Sequence, residues 1–184
     1  MIKAIFGKDK VLMFRLLKNA KEKKATRLAL QTSHTINWDR STDTTQTKDG
    51  AITTAQGLEV TVDIDAVASE DEVNAMLRQS VENGDKLEVW EINFGGEPVD
   101  GKYPALYMQG TLDSWEMPAD VEDLATLTTT LHVDGKPQPG YATVSQEQQE
   151  EVLYAFRDVT IFDGKPSPAE VNPKEGTEEG TPRV

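Results

Sequence analysis

The stretch GLEVTVDIDAVASEDEVNAML, residues 57–77, changes its hydrophobic period halfway along. In its first half Leu58, Val60, Val62, Ile64 and Ala66 fall on every second position, with Glu59, Thr61, Asp63 and Asp65 between them. That alternation is the pattern of a strand buried on one face only. From Val73 the apolar residues become Val73, Met76, Leu77 and Val81, one stripe of a helix. Ser69 followed three residues later by Glu72 reads as a capping box at the helix entry, and Asn83 with Gly84 supplies the stop. A one-sided strand that turns straight into an amphipathic helix calls for a sheet with a helix laid against it.

Working outward, VLMFRLLK (11–18) reads as a strand with Arg15 pointing out, and ATRLALQTSHTINW (25–38) alternates loosely as a second. The basic turn KNAKEKKATR joins them. DRSTDTTQTKDGAITTAQG (39–57) has almost no apolar residue before Ile52, so it is a long loop or an extended hairpin arm outside the core. KLEVWEINF (86–94), ALYMQGTLDSWEM (105–117, with Gly110 marking a bulge) and LATLTTTLHV (124–133) read as further strands. Asp-Gly pairs at 100–101, 134–135 and 163–164 mark turns, because glycine takes positive φ freely.

The predicted fold is mainly β (α+β): two packed, mostly antiparallel sheets, sandwich or barrel-like, with a flanking helix and a long loop arm. The predicted domain spans 1–162, with helices near 70–83 and 146–156, the second capped by Ser145 and Gln148. VTIF (159–162) reads as a last short strand. Residues 163–184 hold four of the nine prolines and little to bury, and are expected to form a flexible tail.

At 184 residues the chain fits one domain plus an extension. Having no cysteine, it has no disulfide, thiolate metal site or cysteine nucleophile, which suits a reducing cytoplasm. No apolar run has signal-peptide or bilayer-spanning length, so no membrane partner is expected. A net charge of -13 argues against a surface that grips nucleic acid. Its distribution is uneven: residues 1–27 carry nine Lys/Arg against two Asp/Glu (+7), leaving ten against thirty (-20) for the rest. Opposite ends of this kind favour head-to-tail contact between copies, and Lys21, Lys23, Lys24 and Arg27 form the candidate basic inter-subunit patch. A solvated basic loop is the plainer reading of the same residues.

Only His34 and His132 are available to a nucleophilic triad, and both lie in strand patterns that fit sheet-packing or surface roles. Among Glu88, Glu91, Asp113 and Glu116 no spacing singles out a glycosidase pair. Asp63, Asp65, Glu70 and Asp71 run through a strand into a helix start without the glycine-centred loop of a calcium site. No phosphate-cradling glycine motif follows a strand. No enzyme, cofactor or metal is therefore expected. Trp38, Trp90 and Trp115 leave open a carbohydrate platform as well as core and interface roles.

GKDKVLMFRLLK (7–18), TSHTINWDRSTDTTQTKDGAI (32–52), residues 57–77, GDKLEVWEINF (84–94) and GKYPALYMQGTLDSWEMPADVEDLATLTTTLHVDGKPQPGY (101–141), in this order, resemble the major tail proteins of long, non-contractile-tailed bacteriophages. The resemblance covers roughly residues 5–145 and departs at the C-terminus, where some relatives carry an immunoglobulin-like domain. It implies a structural virion protein assembled in the host cytoplasm. Such proteins close into hexameric rings that stack into a tube, surround a tape-measure protein, meet initiator or baseplate and terminator proteins, and let DNA pass without sticking. In such a ring Glu59, Asp63 and Asp65 are expected to belong to the lumen lining or to a subunit contact. The competing reading is a monomeric carbohydrate-binding β-sandwich on a virion or cell surface; a hydrolase with paired carboxylates is the third.

Overall fold

Alternation along residues 58–66 produces the strand it predicts. In the computed structural model, which describes residues 5–145 and Gln148, the order is β1 (Lys10–Leu16), β2 (Thr26–Arg27), β3 (Gln31–Thr47), β4 (Gly50–Val67), α1 (Glu72–Asn83), β5 (Leu87–Asn93), β6 (Tyr103–Leu112), β7 (Thr126–Val133) and β8 (Gln138–Ala142). Val60, Val62, Ile64 and Ala66 are buried, while Glu59 is exposed and Thr61, Asp63 and Asp65 keep partial access to solvent. In β1 the run Val11–Phe14 is buried on both sides of the strand, which is why its sequence is continuously apolar instead of alternating.

Hydrogen bonding joins the strands into one eight-stranded antiparallel sheet where the sequence predicts two. The sheet consists of two leaves, β2-β1-β5-β6 with β8 paired to β6, and β7-β4-β3. The β6–β7 ladder that joins them is three residue pairs long: Gly110 with Val133, Thr111 with His132 and Leu112 with Leu131. The leaves turn toward each other, since Leu12 and Phe14 share one buried cluster with Val62 and Ile64. Val73 and Leu77 of α1 enter the same cluster. On the far side, the Gln31 amide oxygen accepts from the Leu12 backbone N–H at 3.3 Å, and His34 reaches Glu91 at 2.9 Å. The last strand of the sheet thus returns to β1 and β5, giving the barrel-like form.

Helix α1 starts two residues later than a Ser69 cap requires. Asp71 is the N-cap, its carboxylate accepting from the Asn74 backbone N–H at 2.8 Å, and the Ser69 hydroxyl donates to that same carboxylate. Burial works against the charge of Asp71, but the bonds from Ser69 and Asn74 outweigh it and hold the group below its ordinary value. Gly84, at φ 66°, ends the helix with its N–H on the carbonyls of Ser80 and Val81. Asp71→Ala is expected to cost about 1–2 kcal/mol in urea unfolding, the usual worth of a cap, because it also strips the buried Asn74 amide of a partner.

Several boundaries differ from the predicted ones. The strand expected over 25–38 is broken at Leu30, whose φ is 52°, into the two-residue β2 and the start of β3. The strand expected over 105–117 ends at Leu112, and only Glu116 rejoins the sheet, as an isolated bridge to Thr128. Residues 39–57 form a hairpin arm: β3 and β4 stay paired from Asp39–Glu59 out to Thr47–Gly50, with a register shift between Arg40 and Thr42. The unpredicted β8 contains Pro139 and Gly140, tolerable at the sheet's margin because it pairs with β6 alone. At 99–102 the Asp100–Gly101 pair takes φ of 50° and 74°, and Val99 and Lys102 exchange two backbone bonds of 2.9 Å, a primed hairpin turn. Of the expected helix near 146–156 only its start is described, where Ser145 and Gln148 cap each other reciprocally. The rest of that helix, the strand at 159–162 and the tail at 163–184 lie outside the described residues.

Candidate assembly surfaces

The outer face of β3-β4-β7 carries the acids singled out by the alternation. Asp63 lies between Thr35 of β3 and Thr130 of β7, and Asp65 between Ser33 and Thr128. Each carboxylate is held from both flanks. Asn37 Nδ2 donates to Asp63 at 2.7 Å and Thr130 Oγ1 at 3.0 Å; Ser33 Oγ donates to Asp65 at 2.9 Å and Thr128 Oγ1 at 3.0 Å. These neutral donors fix the side chains and leave their negative charge in place. Among the described residues none of the three acids makes an ion pair. Glu59 stands at the root of the arm directly opposite Asp39. Like charges facing across a ladder cost stability, so this pairing works against the fold's own preference.

Beyond Val60 the arm has only two strands, because β7 pairs with β4 over Val60–Val67. Its residues are exposed throughout, Ile52 and Trp38 at its base included. A two-stranded hairpin with both edges open is marginal alone and presents free backbone donors and acceptors to a partner.

The basic segment lies elsewhere, beside α1. Lys21, Lys23 and Lys24 are exposed on the turn after β1, and Arg27 lies on β2 opposite Met13. Lys23 meets Glu72 of α1 at 3.3 Å, and Lys18 meets Asp85 at 2.6 Å. Leu16, Val73 and Met76 line a groove of about 410 Å³ with Lys18, Lys23 and Lys24 around it. The structure brings Glu59, Asp63 and Asp65 onto one face and the four cations into one region, but it does not bring the two groups into contact with each other through any described bond.

The remaining candidates are otherwise engaged. His34 is largely enclosed between Gln31 and Glu91, and His132 pairs with Asp113 at 2.8 Å on the surface. Glu88 is bound by Arg15 at 2.7 Å and by the Tyr107 hydroxyl. The tryptophans have three separate settings: Trp90 packs on Tyr107 and Arg15, Trp115 on the core, and Trp38 is exposed on β3. Among the described residues no group of His, Asp and Glu is arranged to hold a metal ion, and no helix is long and apolar enough to cross a membrane.

Residues 4–139 match the family described as phage tail tube protein. This chain belongs to that family. A putative tail protein of Staphylococcus phage phiMR25 is 26% identical over 162 residues, which is 84% of this chain and 83% of that protein. The SPP1 tail tube protein superposes with a TM-score of 0.69 at 17% identity, over 97% of this chain and 98% of that one. The tail of an empty gene transfer agent particle, refined with C6 symmetry, matches at TM-score 0.58 and 13% identity, over 73% and 98%. The tail tube protein is thus a structural component of the virion tail, and its mainly β fold resembles that of these tail structures.

Sequence reasoning found the acids but not their donors. Ser33, Asn37, Thr128 and Thr130 become a clamp only once the register of β3, β4 and β7 is known. The Asp39–Glu59 opposition also depends on register, although both residues were visible.

Proposed function

We propose that this tail tube protein closes into six-membered rings that stack into a conduit for DNA, with the outer face of β3-β4-β7 lining the bore. The arm at 39–57 reaches an adjoining copy, and the basic segment Lys21, Lys23, Lys24 and Arg27 meets acidic surface on a neighbour. The tube surrounds a tape-measure protein and ends on initiator or baseplate and terminator proteins. It works without catalysis or cofactor: geometry and charge do what is required.

The observation that carries the lining is the unneutralised row Glu59, Asp63 and Asp65, in which Asp63 and Asp65 are clamped from both flanks. Carboxylates fixed by hydroxyls and amides present negative charge at set positions and repel phosphates. Screening limits this repulsion to about 10 Å at 0.1 M salt, so the wall prevents adhesion at contact and exerts no long-range force. Replacing all three acids with lysine is expected to leave the subunit folded by circular dichroism and to make assembled tubes retain added DNA at low salt. Retention equal to that of unmodified tubes would remove these residues from the lining.

A further inference from the structure

Between β6 and β7 the segment 113–125 leaves the sheet, and Met117, Val121 and Leu124 stand exposed on it, Val121 fully so. Around them are Asp113, Glu116, Asp120, Glu122 and Asp123, and no Lys or Arg occurs between residues 103 and 135. Exposed apolar residues inside a purely acidic stretch describe a contact whose other side is apolar with a cationic border. The groove lined by Leu16, Val73 and Met76 and bordered by Lys18, Lys23 and Lys24 has that character. Its volume is within the range of pockets that bury a small ligand or a few side chains, about 300–1,000 Å³.

The two surfaces flank the same helix. Trp115 and Met117 approach α1 on the side of Asn74 and Arg78, whereas the basic groove opens on the side of Met76 and Gln79. With each copy carrying one half of the contact on either flank of α1, the pairing is heterologous and propagates from copy to copy, closing where the rotation allows. We propose that segment 113–125 of one copy seats in the basic groove of a second copy, Val121 and Leu124 entering it and Asp120, Glu122 and Asp123 meeting its lysines. This rests on the reading of the basic segment as an inter-copy patch and supplies that patch with its partner. Glu72 at the lip, now held by Lys23 at 3.3 Å in an exposed pair, is the group an incoming carboxylate displaces.

The lack of native cysteine gives a direct test. Full-length Lys24→Cys and Val121→Cys chains are mixed under mild oxidation, each also being oxidised alone. Docking predicts a disulfide-linked dimer in the mixture at least tenfold more abundant than in either single preparation; equal abundance overturns it. Charge reversal gives a second readout: Lys21→Glu/Lys23→Glu/Lys24→Glu and Asp120→Lys/Glu122→Lys/Asp123→Lys each abolish tube formation seen by negative-stain microscopy, and the chain carrying both sets regains it. Normal tubes from either reversed chain would overturn the docking while leaving the tube reading intact. Solitary unmodified particles in concentrated, initiator-primed material would sink the tube reading, and the cross-link would still report on docking by itself.

Discussion

Gly110→Ala is expected to lower the stability of the tube domain by at least about 3 kcal/mol, with a fall in melting temperature on the order of 10 °C. A Cβ at this position would lie 2.0 Å from the His132 carbonyl oxygen, 2.9 Å from its carbon and 3.1 Å from the Val133 Cα. All three are backbone atoms of β7, so no side chain can turn away to make room. The strands must separate, and they do so at the short β6–β7 ladder, three residue pairs long, that links the two leaves of the sheet. Gly140→Ala is the matched control. Its Cβ would meet nothing within 4 Å, and an effect within about 0.5 kcal/mol is expected there. Urea unfolding of the two variants beside the unmodified chain decides the matter, and coincident midpoints for all three would show that the leaves tolerate separation at the joint.

The same glycine shows where sequence reading stops. The bulge expected at Gly110 is absent, since β6 keeps its register with both β5 and β7 through this residue; the glycine is there because the β7 backbone comes too close for a Cβ. That β6 changes partner there, from β8 over Tyr103–Tyr107 to β7 over Gly110–Leu112, is not legible, because it depends on which distant strand arrives. The alternation of residues 58–66 fixes both the strand and its wet face, since period 2 allows one orientation against a core. For the arm, composition distinguishes exposed from buried but not loop from ladder: threonine suits both, and the pairing is set by continuation of β3 and β4. The cap of α1 shifted from Ser69 to Asp71 because both are good N-cap residues and only the backbone decides between them. Met117 and Leu124 read as the ends of strands that in fact stop at Leu112 and start at Thr126, and Val121 between them gives no periodic signal.

Least legible of all is the polar plug at one end of the core, whose members are up to 81 residues apart. Lys10 of β1, Glu91 of β5 and His34 of β3 share a face with Leu12, Val89 and Ile36, yet Lys10 donates to both Glu91 oxygens at 3.1 Å and His34 Nε2 lies 2.9 Å from Oε1. A neutral ring protonated on Nε2 satisfies the whole chain of bonds. It donates to Glu91 and accepts at Nδ1 from the Gln31 amide, 2.7 Å away, whose oxygen takes the Leu12 N–H. Glu91→Ala removes the shared acceptor and leaves His34 largely enclosed without a partner for Nε2. With the Glu91 and His34 side chains about 10% exposed and Lys10 about a third exposed, the expected cost is about 2 kcal/mol. That lies above an exposed ion pair and below a fully buried one.

Glu91→Gln keeps the shape and one acceptor, and its cost should depend on pH. Burial opposes ionisation of Glu91, but the bonds from His34 and Lys10 prevail and hold its carboxyl below the ordinary 4.5. A folded-state value lower than the unfolded one contributes stability that is fully present above about 4.5 and is lost as the pH falls through the folded value. The stability gap between the unmodified chain and Glu91→Gln is therefore expected to shrink in acid, as the pH falls through the folded value of Glu91. Asp71 and Asp113, which are also held low, titrate identically in both chains and cancel from the difference. A gap that persisted unchanged into acid would mean that the charge on Glu91 does nothing for the fold. In that case shape alone would hold the root of β3 against β1 and β5, and the arm would keep its footing whatever the protonation of the plug beneath it.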